Sequence, residues 1–232
     1  GVDSMFEAAI DTAARPALTH LLFIDGIEPR HSTAVAAAEV EAASRAAERL
    51  GLPLVVMETD AHALTGERRD WADVHGCVLA ALGTAQGGEI GRVVVPSTDS
   101  YATIVPYGSH PLLDPLWSTS TVEILHGDIS AGRASKVAAL VDQRPDLVGD
   151  LKVCYAEDRV DNCGQCGKCL ITMAALIGAG GLELATGFPS TIDVELVAAM
   201  RPAPLQSRSH WVDVVRLLDE RGEDPALRDA IV

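Results

Sequence analysis

Short apolar runs alternate with longer Ala-rich amphipathic stretches along this chain. The apolar runs predict buried strands at 21–24, 54–57, 92–95 and 122–125, and the amphipathic stretches predict helices at 4–15, 32–50, 70–85 and 134–141. Strands that alternate with helices of this length form βαβ units with a parallel sheet covered on both faces. The pattern therefore predicts an α/β fold with a doubly wound, Rossmann-like parallel sheet.

The second half of the chain has a different organisation. Helical periodicity resumes at 170–177, 192–200 and 211–221, and a Pro-rich linker covers 201–205. We predict an α/β nucleotide-binding domain at 1–150, a cysteine-containing segment at 151–180 and a helical extension at 181–232. The pattern assigns no role to the extension.

Polar residues follow the predicted strands directly. They are Asp25, Thr59, Ser97 and Thr98. In parallel α/β sheets, ligands bind outside the carboxyl ends of the strands, so these side chains are candidates for binding. The alternative is that they only end strands and cap helices.

A loop without helix or strand periodicity covers about 106–121. It contains hydroxyl, ionisable and aromatic side chains between prolines, and Ser109, His110, Asp114 and Trp117 are its candidate substrate-binding residues. Long loops in compact domains are usually functional or disordered, and a disordered loop rarely contains Trp and several Leu. A substrate-facing loop and a structural lid both fit this composition.

Charge narrows the class of partner. The chain has 18 Lys and Arg against 33 Asp and Glu, a formal net charge of −15. Such a surface repels a phosphate backbone, which disfavours nucleic acid and favours a small-molecule substrate. No apolar run approaches the roughly 20 residues that span a bilayer, and no signal region is visible. We expect a cytoplasmic protein, with residues before Gly1 in the native chain, and the sequence leaves a homodimer open.

Four of the five cysteines are closely spaced, in the pattern C-x8-C-x2-C-x2-C. They are Cys154, Cys163, Cys166 and Cys169. Four thiolates suit a closed tetrahedral zinc site of structural character, and an iron–sulfur cluster or four unliganded thiols are the alternatives. The fifth, Cys77, lies in a predicted helix and is expected to be a small core residue.

The first four residues, Gly1, Val2, Asp3 and Ser4, open a helix and can form an anion site with its backbone N–H groups. They resemble the end of the SGGxDS pyrophosphate-binding motif of PP-loop ATP pyrophosphatases, in the adenine nucleotide alpha hydrolase-like superfamily. The cysteine spacing resembles that of the zinc-containing 7-cyano-7-deazaguanine synthases of that superfamily. The resemblance covers about 1–176, and the 109–119 stretch departs from those synthases, so it implies the activation chemistry and not the substrate.

The resemblance implies an enzyme that uses ATP and Mg²⁺ to adenylate a carbonyl-type oxygen and release pyrophosphate. Asp3 would hold Mg²⁺, and Ser4 with the Gly1–Val2 backbone would hold pyrophosphate. Arg133 and Lys136 would supply cationic contacts, although both also fit a solvated helix face. Asp25 and Thr59 would lie near ribose and adenine, with Ser97 and Thr98 on the nucleotide side.

The nucleophile is left open between nitrogen and sulfur. Sulfur-transferring relatives commonly carry a persulfide on a pair of extra cysteines, and this chain has only Cys77 beyond the quartet. We therefore expect ammonia or an amine, hence a C–N ligase. Sulfur transfer from an external donor, and a non-catalytic nucleotide-binding sensor, are the alternatives.

Overall fold

A computed structural model describes residues 1–10, 17–27, 32–61, 63, 70–154, 159–200 and 205–232. The α-helices of this part are α1 Val2–Ala9, α2 Thr33–Leu50, α3 Trp71–Thr84, α4 Arg133–Gln143, α5 Pro145–Val148, α6 Gly167–Gly178, α7 Val194–Ala199, α8 Leu205–Arg221 and α9 Pro225–Ile231. The strands are β1 Leu21–Asp25, β2 Leu54–Glu58, β3 Arg92–Val95 and β4 Glu123–His126. Short 3₁₀ turns occur at Gly87–Glu89, Asp114–Trp117 and Leu182–Leu184. The chain is therefore mixed α/β, as predicted.

Helix α2 shows how the sequence sets its own boundaries. Ser32 is the N-cap, and its hydroxyl accepts a hydrogen bond from the Val35 N–H. Gly51 ends the helix in the left-handed conformation, at φ 66°, which glycine adopts without steric cost. The predicted helix at 32–50 is confirmed.

Helix α1 begins earlier than predicted. Its N-cap is Gly1, so Asp3 lies in the first turn and the helix begins two residues before position 4, its predicted start. The helix ends at Ala9, with Ile10 as its C-cap, and positions 11–15 of the predicted helix lie outside the described residues. This start leaves the Asp3 side chain available for tertiary contacts.

The four strands form two small parallel sheets. β1 pairs with β2 from Leu21↔Leu54 to Asp25↔Glu58, and β3 pairs with β4 from Arg92↔Glu123 to Val95↔His126. The described strands do not join into the single sheet that the alternating pattern predicts. The parallel pairing is confirmed, and the doubly wound arrangement stays a prediction.

The main hydrophobic core lies among helices α1, α4, α6 and α8. Its buried residues include Val2 and Phe6, Val137 and Leu140, Met173 and Leu176, and Val214 and Leu218. Cys154 and Cys169 belong to the same core. The cysteine segment and the C-terminal helices thus share one hydrophobic core with the first helix of the chain. None of the helices in the described ranges is long and apolar enough to cross a membrane.

Candidate functional site

The four clustered cysteines converge on one point and can hold a metal ion such as zinc. All four Sγ atoms lie within 4.8 Å of one another, with Cys154–Cys166 at 4.0 Å and Cys163–Cys169 at 3.8 Å. A disulfide requires about 2.05 Å, so none of these pairs is bonded. Ligands at about 2.3 Å from a tetrahedral zinc ion stand about 3.8 Å apart, which matches the shorter separations.

Asn162 fixes the two segments that carry these cysteines. Its Oδ1 accepts from the N–H groups of Val153 and Cys154 at 2.9 and 3.1 Å. Its Nδ2 donates to the carbonyls of Leu151 and Gly187 at 2.8 and 3.1 Å. This buried amide satisfies four backbone groups at once, and so it positions Cys154 opposite the turn that begins at Cys163.

The turn after Cys163 is built to surround its sulfur. Gly164 adopts φ 69°, and the N–H groups of Gln165 and Cys166 point to the Cys163 Sγ at 3.3 and 3.2 Å. The pKa of the Cys169 thiol is raised by its hydrogen bond with Cys166 and by burial. The convergence of four sulfur atoms at separations that suit tetrahedral coordination favours a metal over four unliganded thiols.

A second constellation joins the first turns of α1 and α4. Arg133 Nη2 donates to Asp3 Oδ2 at 2.6 Å, and Lys136 Nζ lies 3.8 Å from Asp3 Oδ1. Arg133 is 9 % exposed, and its Nε has no hydrogen-bond partner among the described residues. The structure therefore brings together three of the four residues expected to act on phosphate, and it rules out a solvated helix face for both cations.

Lys136 is the most deeply buried cation of the described chain. It is 1 % exposed, and its Nζ donates to the Ser97 carbonyl at 2.5 Å. Burial lowers the pKa of Lys136, and the nearby carboxylates of Asp3, Glu7 and Asp128 oppose this effect. An ammonium group held in this way is costly to bury, so its position calls for a functional explanation.

A large cavity opens beside this constellation, between the two sheets. Its volume is about 1240 Å³, and its walls include every residue of β1 and of β3. Gly1, Val2, Asp3, Ser4, Asp25 and Arg133 line it as well. Lys168 on α6, which the sequence did not single out, reaches the same wall from beside the cysteine cluster.

The polar residues at the strand ends fall into two groups. Thr59 lies beside Asp25, since its N–H donates to the Asp25 carbonyl at 2.9 Å. Ser97 is buried, and its Oγ donates to the Asp99 carbonyl at 2.6 Å, while Thr98 lines a second, small pocket. Asp25 thus reaches the large cavity, whereas Ser97 contacts the constellation through its carbonyl and not its hydroxyl.

The loop residues that the sequence singled out separate in the structure. Ser109 and His110 line the small pocket. Asp114 is 1 % exposed and accepts hydrogen bonds from Ser109 Oγ at 2.7 Å and from the His110 N–H at 3.0 Å. Trp117 and Leu116 are 46 % and 76 % exposed on the outer side of the same turn. Asp114 therefore shapes the loop from within, and Trp117 does not line either of these pockets.

Sequence reasoning missed His126, which completes the small pocket. Its Nδ1 lies 2.6 Å from Asp114 Oδ2, and it is the last residue of β4. The rule that selected Asp25 and Ser97 applies to it equally, because His126 directly follows the predicted strand at 122–125. Polar residues at the carboxyl ends of three strands thus face ligand-sized space.

Helix α8, in the C-terminal part of the chain, contacts residues that follow β3 and residues at the start of α4. Its His210 Nε2 lies 3.6 Å from Asp99 Oδ1, and its Asp213 carboxylate packs against Gly132, the N-cap of α4. Burial raises the pKa of Asp213, with opposing contributions from His210 and Arg216.

The chain as a whole matches no family model, no curated protein and no solved structure.

Proposed function

We propose that this protein is an ATP-dependent enzyme of the PP-loop type, which adenylates a carbonyl-type oxygen of a small molecule and releases pyrophosphate. A nitrogen nucleophile then displaces AMP from the activated carbon. The observation that carries the proposal is the buried constellation of Asp3, Arg133 and Lys136 at the first turns of α1 and α4. Arg133 and Lys136 both belong to α4, and they lie where the N-terminus of α4 meets that of α1. Two buried cations beside two helix N-termini are suited to bind a polyphosphate.

Both helix starts have backbone donors for such an anion. The N-caps are Gly1 and Gly132, which have no side chain to accept the first-turn N–H groups. The positive ends of α1 and α4 add to the field of the Arg133 guanidinium and the Lys136 ammonium group. A pyrophosphate bridging the two helix starts would contact all of these donors.

The charges around the constellation explain the need for a divalent cation. Asp3, Glu7 and Asp128 all contribute to the electrostatics at Lys136, so three carboxylates surround two cations. A polyphosphate added alone would meet a net negative environment. Mg²⁺ held by Asp3 would offset this excess, with Asp3 Oδ1 accepting no hydrogen bond from the described residues.

We also propose that the two small sheets belong to one doubly wound sheet. The cavity exceeds the roughly 300–1,000 Å³ of ordinary small-molecule pockets. Its walls include all of β1 and β3, and each of these strands has one edge unpaired among the described strands. Every residue of β1 is only half-buried although the strand is mostly apolar, whereas parallel sheets are normally covered. A further parallel strand between β1 and β3, joined to Gly1, would pair both edges and lead directly into α1.

Extending the chain before Gly1 with an apolar strand as long as β1 should slow amide exchange in both β1 and β3. The added backbone would supply hydrogen-bond partners to the two strand edges that face the cavity. Hydrogen–deuterium exchange with peptide-level mass spectrometry measures the effect. An extension of equal length made of Gly and Ser is the matched control, and equal protection by both would count against the fifth strand.

The cysteine cluster fits a single structural zinc ion in this proposal. Four thiolates around one ion stand close together, whereas an iron–sulfur cluster would hold them farther apart because its own atoms lie between them. All four ligand positions come from the protein, so the ion would stabilise the fold around α6. Lys168 then connects this region to the cavity wall.

The fifth cysteine favours nitrogen over sulfur as the nucleophile. Cys77 lies in α3 with its Sγ donating to the Val74 carbonyl at 3.0 Å, and it lines neither of the two pockets. No cysteine of the described chain outside the quartet therefore borders the proposed site. A cysteine that carried a persulfide would have to lie within reach of that site.

Replacing Arg133 by alanine should weaken Mg²⁺-ATP binding by about 10- to 100-fold. Hydrogen bonds to charged groups contribute about 1.5–3 kcal/mol, and the guanidinium is buried beside Asp3. Isothermal titration calorimetry measures the affinity. Arg221, paired with Asp142 on the surface, supplies the matched control R221A, which should bind like the parent.

The Asp3→Asn variant separates the metal from the phosphate contacts. It should lose the dependence of ATP binding on Mg²⁺ while keeping the fold, because the amide coordinates a hard cation poorly. If the parent binds no ATP, or R133A and R221A behave alike, the nucleotide site lies elsewhere and the proposed function fails.

A further inference from the structure

A carboxylate–imidazole pair forms one side of the small pocket. We propose that His126, held by Asp114, accepts a proton from an ammonium ion in this pocket and so delivers ammonia as the nucleophile. The inference rests on the proposed function and identifies a proton acceptor for its second step. The sequence had assigned no role to His126.

The hydrogen bonds fix the tautomer of the His126 ring. Burial would raise the pKa of Asp114, but hydrogen bonds from His126, from the Ser109 hydroxyl and from the His110 N–H outweigh it and lower that pKa. Asp114 is therefore ionised, and its Oδ2 accepts a hydrogen bond from the His126 Nδ1–H at 2.6 Å. The lone pair of the neutral ring is then on Nε2, which has no protein partner in the described ranges.

Ser109 is not the nucleophile of a Ser–His–Asp triad. Its Oγ donates to Asp114 Oδ2 at 2.7 Å and lies 3.5 Å from His126 Nδ1, the ring nitrogen that already faces the carboxylate. A triad serine would instead contact the other nitrogen. Ser109 thus helps to orient Asp114, and the reactive position of the group is His126 Nε2.

The pocket has the dimensions of one very small molecule. Its volume, measured for the centre of a water-sized sphere, is about 10 Å³. A single water needs about 10–15 Å³ on that scale, so the pocket accepts water or ammonia rather than a larger amine. Its walls include Thr98, Asp99, Ser109, His110, His126 and Ile129. The nitrogen nucleophile of the proposed function selects ammonium over water as the occupant.

The neighbouring His110 cannot take the same role. Its Nδ1 accepts a hydrogen bond from the Leu112 N–H at 3.1 Å, so the neutral ring carries its proton on Nε2. Of the two imidazoles in the pocket wall, His126 is the one with an acceptor nitrogen to offer. The pocket also adjoins the phosphate constellation, because Thr98 and Asp99 follow Ser97, whose carbonyl binds Lys136.

Ammonium is both the proton donor and the source of nitrogen in the proposed step. Ammonium transfers one proton to His126 Nε2, which gives imidazolium and ammonia. The ammonia lone pair forms the C–N bond at the activated carbonyl carbon, the C–O bond to AMP breaks, and its electron pair leaves with AMP. The nitrogen then loses one proton to water, which leaves a neutral amide.

¹⁵N NMR of the folded parent tests the dyad without any substrate. The His126 ring should show a protonated Nδ1 and an unprotonated Nε2, and ammonium chloride should shift the Nε2 resonance because the ammonium ion donates a hydrogen bond to it. Tetramethylammonium chloride at equal ionic strength carries the same charge but no proton to donate, and it should have no effect. The exposed His20 ring is the internal reference.

Asp114→Asn should abolish the effect of ammonium on the His126 Nε2 resonance. The amide NH₂ can donate to Nδ1, which moves the ring proton to Nε2 and blocks it. The matched control is R221A, whose side chain pairs with Asp142 on the surface and which should give the same spectrum as the parent.

A parent spectrum with the proton on Nε2 would overturn the inference, and so would a His126 resonance that ammonium leaves unchanged or that both cations shift equally. These results are independent of ATP binding. Absent ATP binding with an ammonium-sensitive His126 removes the proposed function, whereas normal ATP binding with an insensitive His126 removes this inference alone.

Discussion

Replacing Cys169 by serine should unfold most of the protein at ambient temperature and abolish stoichiometric metal binding. Cys169 is fully buried, and it lies in α6, whose residues from Leu170 to Leu176 fill the main core. Zinc binding contributes about 10–16 kcal/mol to folding in zinc-finger peptides, and whole domains are stable by about 5–15 kcal/mol. The loss of one ligand is therefore comparable to the total stability. Thermal unfolding by circular dichroism, with elemental analysis of the purified protein, measures both effects.

Cys77→Ser is the matched control for this variant. Cys77 lies outside the quartet, and serine can also donate to the Val74 carbonyl, so stability should change by less than about 1 kcal/mol. Removal of the metal from the parent by a strong chelator should reproduce the unfolding. A Cys169→Ser protein as stable as the parent but lacking activity would show that the site is catalytic, and iron with labile sulfide would show that it holds a cluster.

The helices and strands were predictable because their signals are local. Ser32 and Gly51 mark the ends of α2 through hydrogen bonds within a few residues of themselves, and the four apolar runs became the four strands. The cysteine site was predictable for the same reason, because most of its geometry is set by spacing and by glycine between Cys163 and Cys169. Sequence reasoning succeeds where the interacting residues are neighbours in the chain.

Two features depended on contacts between distant residues and were not derivable from pattern. Arg133 and Asp3 are 130 residues apart, and only the resemblance to a known motif suggested that they share a site. Asp114 and His126 are 12 residues apart, but their pairing depends on how the intervening turn folds back onto β4. The composition of the loop indicated that its polar residues matter, and it could not show which of them face inward.

The order of the strands was also beyond the sequence pattern. Alternating strands and helices predict parallel neighbours, and both observed pairs are parallel. Periodicity does not say which strand lies beside which, because hydrogen bonds between strands leave no mark on the spacing of apolar residues. The half-buried edges of β1 and β3 could be recognised only in three dimensions.

Replacing Lys136 by methionine should reduce Mg²⁺-ATP affinity by about 100- to 1,000-fold. In a complex, removing one partner of a buried, hydrogen-bonded charge pair costs about 2–5 kcal/mol of binding free energy, and the middle of that range is about 100- to 1,000-fold in affinity at about 1.4 kcal/mol per tenfold. Lys136 is placed between Asp3 and the Ser97 carbonyl, and methionine fills its volume without its charge. Thermal unfolding of the variant shows whether the loss arises from the site or from the fold.

The pH dependence of the parent tests the same residue without a substitution. The Lys136 ammonium group attracts phosphate only while it is protonated, and burial lowers its pKa below the usual lysine range. ATP affinity should therefore be full below this lowered pKa and fall as the pH rises through it, before exposed lysines titrate. The Lys136→Arg variant keeps its charge at alkaline pH, so any affinity it has should not fall in that window. If the ATP affinity of the parent does not change in that pH window, Lys136 does not contact the phosphates. Its buried ammonium group would then interact only with Asp3 and the Ser97 carbonyl.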